Sequence, residues 1–335
     1  MSSGDVSLTS RRAAPAGASG DDIILPFQVG DTAVRGRVVR LGPAIDQILS
    51  AHGFYDPLSE LVAEAATLVS AMGAALKFDG KLILQLQGDG PVPLVVADYT
   101  AGGGLRAMAS SSDGSLGSGD SGDARDSAAK PDLKDLVGAK SHMMLTVDQG
   151  PDMDRYQGVT PLDGARLEEA AVAYFDQSEQ IPSAVRLAVG RLSRPGQPPQ
   201  WRAGGVLAQF VPAEGGERER GEAILQSEGD RETWARAEAF LSTIQADELL
   251  DPDLSPESLL YRLFHEDGVR VFDASPVRAH CTCNPDKIRA VLSRYTAEDL
   301  ADMVEDGAIR VTCEFCRKTF AFDKDTLELQ NAESE

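Results

Sequence analysis

The chain is poor in cysteine, histidine and basic residues, and each shortage closes off a class of function. Only four cysteines occur in 335 residues, all between positions 281 and 316. A secreted disulfide scaffold would carry more of them and spread them along the chain. Four histidines lie scattered at positions 52, 142, 265 and 280. With them no Ser-His-Asp triad, paired-carboxylate site or phosphate loop can be assembled with any specificity. Lysine and arginine number 32 against 53 acidic residues, a formal net charge of -21. Such a surface repels phosphate backbones and anionic lipid, so neither nucleic acid nor a membrane is an expected partner. No apolar run approaches the ~18 residues that span a bilayer. Met1–Gly20 carries Arg11 and Arg12 with no apolar core behind them, so it reads as a disordered Ser/Ala/Gly tail and not a secretory signal. A cytoplasmic, thiol-reducing setting is the expectation, and in it four clustered cysteines point to metal first and redox chemistry second.

What is present organises into four parts. Residues 1–20 are the tail, 21–212 a core domain, 213–255 a linker and 256–330 a small C-terminal domain. In the core, AVRGRVVRL (Ala33 to Leu41) suits a half-exposed strand. Asp56-Pro57 opens a helix, with Asp56 as its cap and Leu58, Leu61, Val62, Ala65, Leu68, Val69, Met72 and Leu76 at helical spacing. Strands are expected at Lys81 to Gln87 and Val92 to Tyr99 about a Gly88–Pro91 turn, then at His142 to Asp148, Tyr156 to Val159, Val185 to Val189 and Gly205 to Val211. A helix is expected from Leu162 to about Phe175. Strands outnumber helices without regular alternation, which predicts an α+β domain with mostly antiparallel pairing. Ser110 to Lys130 is a Ser/Gly/Asp-rich insert with little to bury, expected as a mobile loop.

From Ala213 the composition turns charged (AEGGERERGEAILQSEGD) and leads into Arg231 to Leu250. There Trp234, Ala237, Phe240, Leu241, Ile244 and Leu249 fall on one apolar helical face. The pattern is that of a linker docking by Trp234, Phe240, Leu241 and Ile244, able to undock at low cost. The last domain is read as a helix at Pro256 to His265, a strand at Val269 to Phe272 and a helix at Pro285 to Arg294. A helix capped by Thr296 and strands at Ala308 to Thr312 and Thr319 to Phe322 complete it. So small an apolar inventory would gain from a staple.

The cysteines stand as Cys281-Thr282-Cys283 and Cys313-Glu314-Phe315-Cys316. Two thiolate pairs separated by a small subdomain can converge on one tetrahedral zinc. Residue spacing leaves three readings open: a zinc site that only folds its domain, a redox-active site, and an iron–sulfur cluster. Each pair is near enough in sequence to close as a disulfide once metal leaves, and metal-bound thiolates are already in the form oxidants attack. His280 is read as a neighbour of the site and His265 as a helix-end contact, while His52 and His142 carry no assignment.

Further segments complete the pattern. Arg262-Leu263-Phe264-His265-Glu266 and Phe272-Asp273 precede the cysteine pairs. Upstream stand Leu76-Lys77-Phe78-Asp79-Gly80, Gln85 to Pro91 (QLQGDGP), Arg155 to Val159 (RYQGV), and Tyr174-Phe175 with Ser178-Glu179-Gln180. In these segments, in this order, the chain resembles the bacterial redox-regulated heat-shock protein 33 (33 kDa chaperonin) family from about Asp31 to Asp323. The Ser/Gly/Asp insert and the long tail depart from the family pattern. The resemblance implies an ATP-independent holdase, not an enzyme, that binds unfolding client proteins under oxidative stress. It implies one zinc per reduced chain on Cys281, Cys283, Cys313 and Cys316. Oxidation would pair Cys281 with Cys283 and Cys313 with Cys316, release zinc, unfold the zinc domain and linker, and give a homodimer. Two rivals stand beside it. A thiol-disulfide oxidoreductase would want its C-x-x-C at a helix start. A nucleic-acid-binding zinc ribbon, as against a purely structural zinc-ribbon binding protein, would rely on Arg278, Lys287, Arg289, Arg294, Arg310, Arg317 and Lys318, among which acidic residues are interleaved.

Overall fold

Alternating apolar residues and a run of β-branched side chains at the start of the chain build two paired strands, β1 (Ile23–Val29) and β2 (Val34–Leu41). A computed structural model describes residues 20–75, 80–111, 131–150, 153–162, 164, 166–211, 225 and 227–327. The expected tail, most of the Ser/Gly/Asp insert, Leu76–Asp79 and most of the charged lead-in to the linker lie outside the described residues. After β2 come helices α1 (Pro43–His52) and α2 (Asp56–Gly73). Strands β3 (Lys81–Gln87), β4 (Leu94–Thr100) and β5 (Gly104–Ser110) follow, then a short helix α3 (Leu133–Val137). Next are β6 (His142–Asp148), β7 (Tyr156–Pro161) and α4 (Leu167–Tyr174), which runs on into a π turn, Phe175–Glu179. The long pair β8 (Ser183–Leu192) and β9 (Gln200–Phe210) completes the N-terminal part.

The linker forms α5 (Glu228–Ser242) and α6 (Ala246–Leu250), followed by α7 (Pro256–Phe264). Three short strands come next: β10 (Val269–Val271), β11 (Ser275–Pro276) and β12 (Arg278–Ala279). The chain closes with α8 (Pro285–Leu292), α9 (Ala297–Asp302), β13 (Val304–Glu305), β14 (Ala308–Thr312) and β15 (Thr319–Phe322). Thr296 caps α9 as its sequence predicts, accepting the Asp299 amide N–H through Oγ1.

One sheet runs β10-β1-β2-β9-β8, with β11 also on β1; a second runs β12-β5-β4-β3-β6-β7; a third is β13-β14-β15. Pairing is antiparallel throughout except at β12–β5. The fold is therefore α+β with mostly antiparallel sheets.

α1 and α2 lie between the two large sheets, and residues of both sheets share one apolar cluster with them. α2 is buried nearly all round, because its second face carries Ala63, Ala66, Thr67, Ser70 and Gly73. These small residues let a sheet approach: a Cβ on Gly73 would stand 2.4 Å from Tyr99. The far side of the first sheet carries a second cluster. There Leu25, Phe27, Val38, Val206 and Phe210 meet Trp234, Leu241, Ile244 and Leu249 of the linker and Leu260 and Phe264 of α7.

Four sequence expectations are corrected. The strand at Ala33 to Leu41 is not half-exposed, since β2 is an interior strand covered on both faces and even Arg40 is only 1% exposed. Asp56 does not cap α2; it is the first helical residue and pairs with Arg191 at 2.6 Å. The expected continuous helix Arg231 to Leu250 breaks at Thr243–Gln245, where the Thr243 hydroxyl bonds back to the Phe240 carbonyl. The helix expected from Leu162 starts at Leu167. Six elements carried no expectation at all: β1, α1, β5, α3, β11 and β12.

Polar contacts reinforce the linker. The Arg40 guanidinium donates to the carbonyls of Glu248, Asp251 and Leu254, at 2.5–2.9 Å. Arg202 donates to the Leu250 carbonyl and forms a two-pronged pair with Asp21. Arg186 donates to the Ser242 carbonyl at 2.6 Å. The carbonyls of Ser242, Glu248, Leu250 and Asp251 lie at the ends of α5 and α6, where intrahelical donors run out, and that of Leu254 lies just ahead of α7.

Candidate metal centre

Two local structures present the four sulfurs. Cys281 follows β12 after one residue, His280, and Cys283 precedes α8, whose first turn is fixed by Asn284 Oδ1 accepting the Lys287 amide N–H at 2.8 Å. Cys313 and Cys316 occupy the turn joining β14 to β15. The Cys313 carbonyl accepts the Arg317 amide N–H at 2.9 Å, and the Lys318 carbonyl accepts that of Cys313 at 3.0 Å. Arg317 takes a left-handed conformation, φ 58°, which lets the chain double back within six residues.

All four Sγ atoms lie within 4.8 Å of one another. Cys281 and Cys313 approach to 3.7 Å, Cys283 and Cys316 to 3.4 Å. Thiolates bound ~2.3 Å from one tetrahedral ion stand ~3.8 Å apart, so the arrangement fits a single metal ion. Sulfurs shared among several irons would stand further from one another, which disfavours a cluster. The cysteines are free and half-buried. Burial is the largest influence on Cys283 and Cys316 and pushes both thiols up. Burial also opposes ionisation at Cys313, but amide N–H groups of Cys316 and Phe315 outweigh it and hold that thiol below its ordinary range.

The subdomain around the sulfurs has little else to hold it. Its buried apolar cluster is Leu292, Ile309, Phe320 and Phe322, with Cys283 packed against it. His280 is outside the sulfur cluster, and its amide N–H goes to the Leu105 carbonyl. His265 Nδ1 faces the Arg262 carbonyl at the end of α7, and His142 sits in β6. Of the linker face, Trp234, Leu241 and Ile244 are buried against the first sheet; Phe240 is half-buried, edge-on to Phe264 at 6.0 Å. The C-x-x-C therefore stands in a hairpin turn and not at a helix start.

Two core residues left without assignment by the sequence touch the centre. His52 Nε2 lies 2.9 Å from the Phe315 carbonyl, and the Arg106 guanidinium stacks 3.9 Å from the centre of the Phe315 ring. Burial pulls Arg106 down, yet the Asp98 carboxylate and the Cys281 sulfur outweigh it and leave the guanidinium held more firmly protonated than usual. Nothing local in the sequence signals these contacts, which join residues more than 200 positions apart.

The sequence model of the Hsp33 protein family matches residues 22–323. A 33 kDa chaperonin of Caulobacter vibrioides is 45% identical over 304 residues, covering 90% of this chain and 95% of that protein. A 33 kDa chaperonin of Shewanella loihica is 33% identical over 309 residues, covering 92% and 94%. Among solved structures, the 33 kDa chaperonin (heat shock protein 33 homolog) of Thermotoga maritima superposes with a TM-score of 0.70. It covers 91% of this chain and 96% of its own at 20% identity, a likeness of fold. Among the described residues no helix is long and apolar enough to cross a membrane.

Proposed function

Because the chain belongs to the Hsp33 family of chaperones, we propose that it is a cytoplasmic, ATP-independent holdase switched by oxidation of a zinc–thiolate centre at Cys281, Cys283, Cys313 and Cys316. The observation that carries the reading is the convergence of four sulfurs in a subdomain whose own buried core is four apolar side chains. Zinc, when bound, would keep the four sulfurs as thiolates and cross-link the ends of β12 and β14. Apparent binding energies of ~10–16 kcal/mol for structural zinc exceed what so small a core supplies.

Oxidation by hydrogen peroxide balances simply. Two thiolates give up two electrons and join as a disulfide; the peroxide O–O bond breaks and, with two protons, yields two waters. Repeated at both pairs, this consumes every ligand. The close contacts in the folded centre run across the pairs, from Cys281 to Cys313 and from Cys283 to Cys316. Pairing of Cys281 with Cys283 and of Cys313 with Cys316 belongs to a chain that has already opened, where the shortest loops close most readily. Loss of the centre frees α7 and the linker to leave the first sheet. The apolar face around Phe27, Val38 and Phe210 is then available to unfolded client proteins and to a second copy of the chain. The acidic surface would keep such complexes soluble and away from nucleic acid and membrane.

The test combines metal release with aggregation. Peroxide with mild heat is expected to liberate about one zinc per chain and to switch on suppression of client aggregation together. Full activity in the reduced, zinc-loaded chain would refute the switch. Catalytic turnover in an insulin-reduction assay would favour a thiol oxidoreductase.

A further inference from the structure

We infer that the N-terminal part supplies the support of the metal centre: His52 of α1 and Arg106 of β5 grip Phe315, hold the Cys313–Cys316 turn in place and thereby set how fast the metal is lost. The inference rests on the zinc reading above and adds the residues that time its release.

Phe315 lies between two ligands, and the core holds it by both its ends. Its carbonyl faces His52 Nε2 at 2.9 Å; its ring lies beneath the Arg106 guanidinium at 3.9 Å. Each gripping group is itself fixed from behind. The His52 ring stacks on Phe54 with centroids 4.5 Å apart and planes 15° from parallel. Arg106 donates through Nε and Nη2 to Asp98 Oδ2, at 2.8 and 2.5 Å, and Asp98 is buried in β4. Neither grip can swing away cheaply, because each would abandon a second partner.

The other ligand pair has its own tie to the same strand. Arg278 and His280 donate their amide N–H groups to the carbonyls of Gly103 and Leu105, both at 2.8 Å, placing β12 parallel to β5 immediately before Cys281. β5 therefore anchors both halves of the sulfur set, one through backbone pairing and the other through Arg106. Within the subdomain the halves are joined through α8, α9, the small hairpin and the apolar cluster they share. A scaffold that fixes both halves from outside reduces the freedom they regain when the metal leaves, and so favours retention. Linkage makes the effect mutual: whatever the core adds to metal affinity, metal adds to the docking of this turn on the core.

The experiment uses the full-length reduced chain loaded with zinc. Release into a chromogenic chelator is timed after a fixed dose of peroxide and, separately, with chelator alone. His52→Ala, Arg106→Leu and Phe315→Ala are each expected to speed release roughly three- to thirtyfold, the range that one hydrogen bond or cation–π contact commands. Combining Arg106→Leu with Phe315→Ala should be no faster than Phe315→Ala alone, since both remove one contact. His52→Asn, which keeps an N–H donor, should recover part of the slow release, and Arg155→Leu, beside β7 at the opposite edge of the second sheet from β5, should change nothing. With cobalt in place of zinc, the sulfur-to-metal charge-transfer band should broaden in the three alanine and leucine variants.

Release within twofold of the parent in all three variants overturns the inference. Should the two core variants fail to fold, Phe315→Ala decides alone. If the parent keeps its metal under peroxide, the switch falls, while chelator-driven release still judges the grip. A chain that takes up neither zinc nor cobalt overturns both.

Discussion

Buried arginines are the residues of this chain whose roles are least apparent from their type. Arg40 and Arg202, with the half-buried Arg186, project from β2, β9 and β8 and donate to carbonyls at the ends of α5 and α6, Arg40 also to Leu254 ahead of α7. A helix leaves its last carbonyls unpaired and bears partial negative charge there, so a guanidinium satisfies both needs at once. Arg40 is the most committed, with three carbonyls and 1% exposure. Burial pulls its guanidinium down, with the nearby Arg202 adding to that, but Asp21, Asp251 and Glu257 work against both. Arg40→Met would leave three buried carbonyls without a donor and is expected to cost about 2–4 kcal/mol of stability in urea unfolding. A loss below about 0.5 kcal/mol would mean that water replaces the guanidinium.

Among elements, the linker is the one built to come apart in stages. α5 is attached mainly by Trp234, Ala237 and Leu241, with Arg186 at its end, whereas α6 is held by two buried arginines. The break at Thr243–Gln245 separates the two modes of attachment. Trp234→Ala removes the largest anchor of α5, at about 3–5 kcal/mol if the gap stays open. Hydrogen exchange should then show α5 opening while α6 keeps its protection, and the reduced chain should gain part of the holdase activity. Equal loss of protection in both helices would show that the linker leaves as one unit. α7 extends the same docked layer: Phe264 stacks near Phe27 at 6.2 Å, and β10 and β11 after it pair with β1. Residues 256–276, grouped by sequence with the cysteines, thus pack on the first sheet, and β12 then passes to the second sheet and leads to the sulfur cluster.

At the scale of the whole molecule, three apolar clusters of unequal size predict unequal melting. Two large ones surround the first sheet, and the third, beneath the sulfurs, holds four fully buried side chains. Stripping metal with a chelator is expected to abolish a separate transition of the C-terminal part in calorimetry while the transition of the sheets persists, shifted by a few degrees at most. A single transition that moves as one would show instead that the β5 tie couples the parts completely. The four-layered order of linker, sheet, helices and sheet also explains why one covering layer can leave without unfolding the rest. Each large sheet retains the α1–α2 layer on its inner face.

The sequence by itself determined the elements whose signals are local. β-rich runs marked β3 and β6 with their observed bounds, Thr296 and Asp299 marked the start of α9, and the paired spacing of four cysteines marked the sulfur cluster. Only the tertiary structure decided that β2 is interior, that the linker breaks in two, that α7 belongs to the core layer, and that His52 and Arg106 reach Phe315. Periodicity reports which side of an element is apolar but not how many faces the fold covers. A contact between residues 52 and 315 has no trace in either neighbourhood, because it depends on where two separately folded surfaces meet.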